Sequence, residues 1–196
     1  MWIKKGLMFC ASEESYEHNS HAQIPAPLCL SKDVYRIYYS ARDENGRTRP
    51  FYLDYDFKSE EVLSIRKEPL LDLGEIGTFD DSGIMPASVL YVGDEVWMYY
   101  IAWNPQVTVS YRLSIGLAIS KDGGETFSKA FLGPLLDRGI DEPYFNTALC
   151  VVLIQNTFHM WYVSCTGWRE VEGKTEPLYY IRHAESNDGL HWEKDQ

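Results

Sequence analysis

Val96-Trp97-Met98-Tyr99-Tyr100-Ile101-Ala102-Trp103 reads as a β-strand. β-branched and aromatic residues follow one another behind a Gly93-Asp94 turn, as strands do. Two more stretches share its character: Val34-Tyr35-Arg36-Ile37-Tyr38-Tyr39-Ser40-Ala41-Arg42, and the run Phe158 to Cys165 with Met160-Trp161-Tyr162 inside it. Tyr39, Tyr100 and Tyr162 recur at nearly equal spacing. Asp56, Asp122 and Asp188, which follow the next strand of each group, recur at equal spacing. A fixed period of this kind marks a repeat architecture.

Each group can be read outward from its aromatic strand. The first has His21 to Leu30, the aromatic strand, an Asp43-Glu44-Asn45-Gly46 hairpin turn, Phe51 to Tyr55, and Val62 to Ile65. The second has Ile84 to Val92, the aromatic strand, Leu113 to Ser120, the turn Lys121-Asp122-Gly123-Gly124, and Thr126-Phe127 leading outward. The third has Tyr144 to Ile154, the aromatic strand, Leu178 to Ser186, the turn Asn187-Asp188-Gly189, and Leu190-His191-Trp192. No window holds a helical period. Four short strands per repeat predict an all-β protein of β-propeller type, a single partial domain over 1–196. Its expected parts are an N-terminal strand at 1–10, blade one at about 20–66, blade two at about 80–132 and blade three at about 141–196. Propellers usually have ~4–8 blades, and His191 to Gln196 stop where the last fourth strand is due. The ring is therefore expected to be open, with self-association or a partner chain at the exposed edges.

Bulk composition narrows the partners. The net charge of −11 argues against nucleic acid and anionic membrane surfaces. Aromatic residues make up 14%, with tyrosine and tryptophan prominent, which suits both sugar stacking and cross-strand pairing. Cys10, Cys29, Cys150 and Cys165 form no C-x-x-C pair; Cys29, Cys150 and Cys165 read as reduced core residues of a cytoplasmic protein. The run Gly6 to Ala11 is too short for a signal-peptide core, and no run approaches a membrane span. Neither a phosphate loop nor a Cys/His metal spacing is present, so no cofactor or metal is expected.

The chemistry concentrates in Gly77-Thr78-Phe79-Asp80-Asp81-Ser82-Gly83-Ile84-Met85-Pro86-Ala87-Ser88-Val89-Leu90. Two adjacent carboxylates stand just ahead of an apolar strand, where Asp, Ser and Gly are also ordinary turn formers. Glu142, in Asp141-Glu142-Pro143, follows Asp80 at the same interval as Tyr162 follows Tyr100, matching the aromatic repeat. Glycoside cleavage needs one carboxyl group to donate a proton and another to attack or to activate water. Asp80, Asp81 and Glu142 are therefore the candidate catalytic groups, against a plain reading as turn and strand caps. Candidate substrate-binding residues are His21, Arg42, Asp43, Trp103, Arg138 and Trp168. Arg42 with Asp43, and Arg138 just ahead of Glu142, read equally as surface ion pairs, which are worth only ~0–1 kcal/mol. Trp103 and Trp168 follow aromatic strands and either stack on a sugar face or cap the sheet.

Tyr35 to Asp43, Gly77 to Pro86, Ile115 to Gly124 and Met160 to Tyr162 together resemble the five-bladed β-propeller glycosidases of the arabinanase, xylosidase and invertase type, over nearly the whole chain. Glycosidase-like propellers with a similar Phe-Asp-Asp-Ser-Gly motif resemble it more closely. The resemblance implies carboxylates at the inner ends of different blades, facing a central axis. Asp80 or Asp81 fits that place in blade two, and Asp141-Glu142-Pro143 fits the start of blade three. Arg42-Asp43 resembles the Arg-Asp pair of the invertase-like enzymes, whose Asp stabilises transition-state charge. The start of blade one has His21 and no carboxylate, a departure from the arabinanase pattern, which places a catalytic Asp there. The implied function is a glycoside hydrolase acting on a carbohydrate substrate. The alternatives are a phosphorylase of the same fold and a non-catalytic sugar- or protein-binding propeller fragment.

Overall fold

The computed structural model of the chain describes residues 3–11 and 20–195. Its strands are β1 (Ser20–Cys29), β2 (Val34–Arg42), β3 (Thr48–Asp56), β4 (Glu61–Ile65), β5 (Gly83–Val92), β6 (Glu95–Pro105), β7 (Tyr111–Ser120), β8 (Ser128–Lys129), β9 (Asn146–Ile154), β10 (Thr157–Val171), β11 (Lys174–Ser186) and β12 (Glu193–Lys194). The protein is all-β, with no α-helix among the described residues. The strands run as three antiparallel meanders, β1–β4, β5–β8 and β9–β12. A parallel bridge between Thr48 and Gly83 joins the first two into one eight-stranded sheet. No sheet closes on itself among the described residues.

Alternation along each aromatic strand decides how the meanders stack. Neighbouring residues point to opposite faces. Tyr38 faces the second meander, and Tyr39 the opposite side with Phe51 and Leu53. Tyr100 packs back toward the first meander, while Tyr99 packs forward among Met160, Tyr162 and Phe158 of the third. Two cores result, one in each gap, and every tyrosine of these pairs is at most 2% exposed. Trp161 stands where Tyr38 and Tyr99 stand in their own meanders, yet is 42% exposed on the outer face of the third sheet.

The first strands β1, β5 and β9 sit around a shared apolar hollow of about 450 Å³, lined by Ile24, Ala87, Ala148 and Cys150 among others. Each of these strands slips register at that level, between Gln23 and Ala26, between Pro86 and Ser88, and opposite Trp161 to Val163. Such irregularities bend a strand. Ile24 and Ala148 take positive φ values of 53° and 39° there.

Three expectations are corrected. The N-terminal strand at 1–10 does not form over Ile3–Cys10; the segment is irregular, turns at Gly6 with φ of 103°, and rests Phe9 on Tyr39 at 5.2 Å between ring centroids. Met1 and Trp2 of that expected strand lie outside the described residues. Cys29 and Cys150 are exposed, not core; Cys29 closes β1, its Sγ donating to the Ser31 carbonyl, and Cys150 lies on the face of β9 shared with Trp161. Cys165 is buried as expected. The third meander does have a fourth strand, since Glu193 and Lys194 pair with Glu185 and Ala184.

Each of the two gaps is pinned by a hydroxyl. Tyr38 donates to the Gly124 carbonyl at 2.8 Å, and Tyr99 to the Gly189 carbonyl at 3.0 Å. Gly124 has φ of 88°, and a Cβ there would lie 2.1 Å from the Tyr38 hydroxyl oxygen. Gly123, with φ of 76°, faces open space. Gly123→Ala should cost about 1–2 kcal/mol, from left-handed backbone strain alone. Gly124→Ala should cost about 1–3 kcal/mol more, because it also breaks the buried hydroxyl contact. Thermal unfolding of both variants checks this, and equal shifts would show that the tyrosine contact adds nothing.

Candidate active site

Asp80 and Glu142 occupy matching places. Each lies just ahead of its meander's first strand and is 2% exposed. Each accepts a hydrogen bond from the tyrosine 20 residues on: Tyr100 to Asp80 at 3.3 Å, and Tyr162 to Glu142 at 3.1 Å. Each is paired with a lysine of its meander's fourth strand. Lys129 of β8 lies 2.6 Å from Asp80, and Lys194 of β12 bonds Glu142. Thr78 also donates to Asp80 at 3.1 Å. Asn146 donates to Glu142 at 3.4 Å, and Arg182 stands 3.7 Å away. A buried carboxylate needs this much compensation to stay charged.

Burial is the largest influence on the Glu142 carboxyl and pushes its pKa up; the bonds from Lys194, Ser164 and Tyr162 outweigh it and leave the pKa below its ordinary value. Burial, and then the neighbouring carboxylate, raises Tyr100 and Tyr162, so both phenols stay protonated donors. Glu142 also borders a cleft of about 620 Å³ with Asp141, Arg182, Lys194 and Asp195. Asp81 is half-buried and accepts from the Gly77 N–H at 2.9 Å and the Ser82 hydroxyl at 2.7 Å.

The other candidates divide between two places and several local roles. Arg138 and Trp168 come together in a cleft of about 220 Å³ with Arg112, Tyr111, Tyr144 and Phe145. Its rings form a cluster, with Tyr111–Trp168 at 5.6 Å and Phe145–Trp168 at 5.8 Å. Trp103 is elsewhere, donating its indole N–H to Thr48 at 2.7 Å across the joint between the first two meanders. A Cβ on Gly83 would sit 1.7 Å from that nitrogen, so only glycine fits there. Asp43 is engaged in its own hairpin, accepting from the Asn45 and Arg47 N–H groups and the Arg47 side chain, each at 2.9 Å. Burial pushes its pKa up, and these bonds bring it below its usual range. Arg42, half-buried, ends β2 beside that turn. His21 is exposed, with Nδ1 2.7 Å from the Ser20 hydroxyl. Sequence reasoning missed Lys129, Lys194 and the Tyr111–Phe145 pair. The equal 20-residue steps from Asp80 to Tyr100 and from Glu142 to Tyr162 were the available signal for the buried network.

No family model matches the chain. Two curated Mycobacterium tuberculosis proteins, Uncharacterized protein MT1551 of strain CDC 1551 / Oshkosh and Uncharacterized protein Rv1502 of strain ATCC 25618 / H37Rv, are each 37% identical to it over 194 residues. That match takes in 98% of this chain and 64% of each relative, so the chain spans less than two thirds of their length. Among solved structures, Zg3597, a family 117 glycoside hydrolase from the marine bacterium Zobellia galactanivorans, superposes with a TM-score of 0.67 at 14% identity, over 92% of this chain and 57% of that one. A thermostable family-43 glycoside hydrolase gives 0.61 at 19% identity, over 89% and 51%. Sucrose-6-phosphate hydrolase from Lactobacillus gasseri gives 0.63 at 12% identity, over 88% and 33%. At these identities the likeness is one of fold: the chain has the propeller-like fold of glycoside hydrolases.

The Glu142 network has a pH signature. Its carboxyl titrates lower in the folded chain than in the unfolded one, where the pKa is about 4.3. Its stabilisation is thus full above that pH and is lost as pH falls through the folded value. Glu142→Gln should flatten the acid limb of the stability curve and cost about 3 kcal/mol at pH 7, because Lys194 and Arg182 lose their counter-charge. Urea midpoints between pH 7 and pH 3 measure both effects. An unchanged acid limb would remove Glu142 from the account of acid unfolding.

Proposed function

We propose that the chain belongs to a carbohydrate-active enzyme that cleaves glycosidic bonds. The observation carrying this reading is the acid pair set ahead of successive inner strands, Asp80-Asp81 before β5 and Asp141-Glu142 before β9, on a fold held in common with glycoside hydrolases. Environment divides the roles. Glu142, held ionised by Lys194 and Arg182, suits the carboxylate that activates water or stabilises positive charge. Asp81, half-buried and accepting from Gly77 and Ser82, is the remaining candidate and is assigned the other carboxyl role by elimination. Asp80 completes the acid set, with Lys129 fixing its place. The cleft of Trp168, Tyr111, Phe145 and Arg138 offers rings for a sugar face and a cation for its oxygens. Arg42, Asp43, His21 and Trp103 are read as further substrate contacts, with Trp103 also supporting the joint between the first two meanders. The exposed thiols of Cys29 and Cys150 are consistent with a cytoplasmic setting.

The three meanders are read as blades of a five-bladed ring, at about 20–66, 80–132 and 141–196 within one domain. The greater length of the curated relatives and the outward-facing Trp161 support this. A non-catalytic sugar-binding role is the second reading, favoured by the lysines that neutralise both buried acids. Exposed Trp161 and Ile181 would then, as in the enzyme, drive the isolated chain to self-associate, a point light scattering decides.

Release of aryl groups from a panel of aryl glycosides, with and without phosphate, tests the proposal on this chain and on a full-length relative. Activity that Asp81→Asn lowers at least a hundredfold while binding survives is the expected result. Phosphate dependence would identify a phosphorylase. Sugar binding with no turnover in either protein would favour the binding module.

A further inference from the structure

We propose that His159, His183 and Glu185 form a binding site for a divalent transition ion of the zinc class on the outer face of the third sheet. The site does not depend on the carbohydrate reading: it shares β10 and β11 with the Glu142 network but uses the opposite face, that of Trp161 and His183 rather than that of Tyr162 and Arg182. In the β10–β11 pairing His159 stands opposite Glu185 and Trp161 opposite His183, so the two imidazoles are diagonal neighbours on one face. The His159 Nδ1 lies 3.2 Å from the His183 Nε2 and 3.3 Å from a Glu185 carboxylate oxygen. All three ligand atoms fall within 4.8 Å of one another. A tetrahedral ion with bonds of about 2.0–2.1 Å sets its ligands about 3.3–3.4 Å apart. Two edges of that tetrahedron are already drawn, and the exposed Glu185 side chain has room to close the third.

The surroundings complete the argument. The His183 Nδ1 is 2.7 Å from an Asp195 carboxylate oxygen. The Nδ1–H donates to that carboxylate, which fixes the tautomer with the lone pair on Nε2, beside His159, the arrangement that orients ligating histidines in metal sites. Two imidazole nitrogens and one carboxylate oxygen suit zinc, copper or nickel, whereas calcium and magnesium take all-oxygen shells. With three protein ligands the fourth position remains for water or for a group from whatever covers this face. No spacing in the sequence signals the site, because the histidines are 24 residues apart and only the hairpin register joins them.

Trp161 makes the site readable. Its ring centroid lies 4.9 Å from that of His183 and 6.1 Å from that of His159. The chelator-treated 196-residue chain is titrated with zinc in a calorimeter, and with copper(II) while tryptophan emission is followed. One zinc per chain is expected, together with copper quenching that prior saturation with zinc shifts to higher copper concentration. His159→Ala and Glu185→Gln should each weaken zinc binding by about 10- to 100-fold, and Asp195→Asn by about tenfold. His191→Ala, which alters a histidine bonded to Asp188, should change nothing. Circular dichroism confirms that each variant is folded; Glu185→Gln, on an exposed side chain, keeps the test open should a histidine variant fail to fold. Absence of zinc binding in the unaltered chain, or binding that survives both His159→Ala and Glu185→Gln, would overturn the proposal.

Discussion

The structure depends on one repeated contact: a tyrosine hydroxyl from the second strand of one meander reaching a glycine carbonyl in the outer turn of the next. Sheets that only stack apolar faces are free to slide, because dispersion and hydrophobic burial have little direction. A buried hydrogen bond has direction, so Tyr38 on Gly124 and Tyr99 on Gly189 fix the rotation of each meander against the next. The receiving turns are built to hold still. The Ser120 hydroxyl accepts from the Gly124 N–H at 2.8 Å, and Asp122 accepts from Glu125 and Thr126, both at 3.0 Å. Ser186 and Asp188 repeat the device around Gly189, where Asp188 accepts from Leu190 and His191, both at 2.8 Å. The His191 and Leu190 bonds hold Asp188 well below the usual carboxylate range.

The same geometry explains why the acids ended up buried. A loop crosses the gap before each first strand, and its carboxylate meets the backward-facing tyrosine of the second strand. Tyr99 and Tyr100 are adjacent, so one strand serves both gaps: Tyr99 locks forward, and Tyr100 holds Asp80 behind. In the proposed enzyme, catalysis and cohesion therefore compete for the same carboxylates. A lysine on a fourth strand stabilises each charge but also occupies it, while a cleft stays open beside Glu142.

Much of the architecture was legible because it rests on period and turn chemistry. Tyr39, Tyr100 and Tyr162 mark the strands, and Asn45-Gly46 marks a hairpin that the backbone makes with φ of 76° at Gly46. Contacts that join distant segments were not legible. Nothing local in Lys129 or Lys194 says that each will lie against a carboxylate far back in the chain, since that depends on how the fourth strand returns over the sheet. The N-terminal segment misled for a related reason. Its apolar composition suits a strand, but a strand needs a partner edge, and the segment instead satisfies its apolar groups on Tyr39 and its charge through Lys5 with Glu60. Cys29 and Cys150 misled because an apolar run does not say which of its two faces is covered.

Backbone strain collects at the hollow among the first strands. Ile24 holds a φ of 53°, a conformation that a β-branched side chain enters only at a cost, and Ala148 holds 39° at the corresponding place in β9. Packing alone would have favoured glycine at either position. Both residues line the apolar hollow, and β5 slips register at the same level beside Ala87. A register slip recurs in each first strand at the level of this apolar hollow. The acids precede these strands in the chain, Asp80 and Asp81 before β5 and Glu142 before β9. The repeat thus does two things: tyrosines of the second strands lock one meander to the next, and the irregular first strands line the apolar hollow.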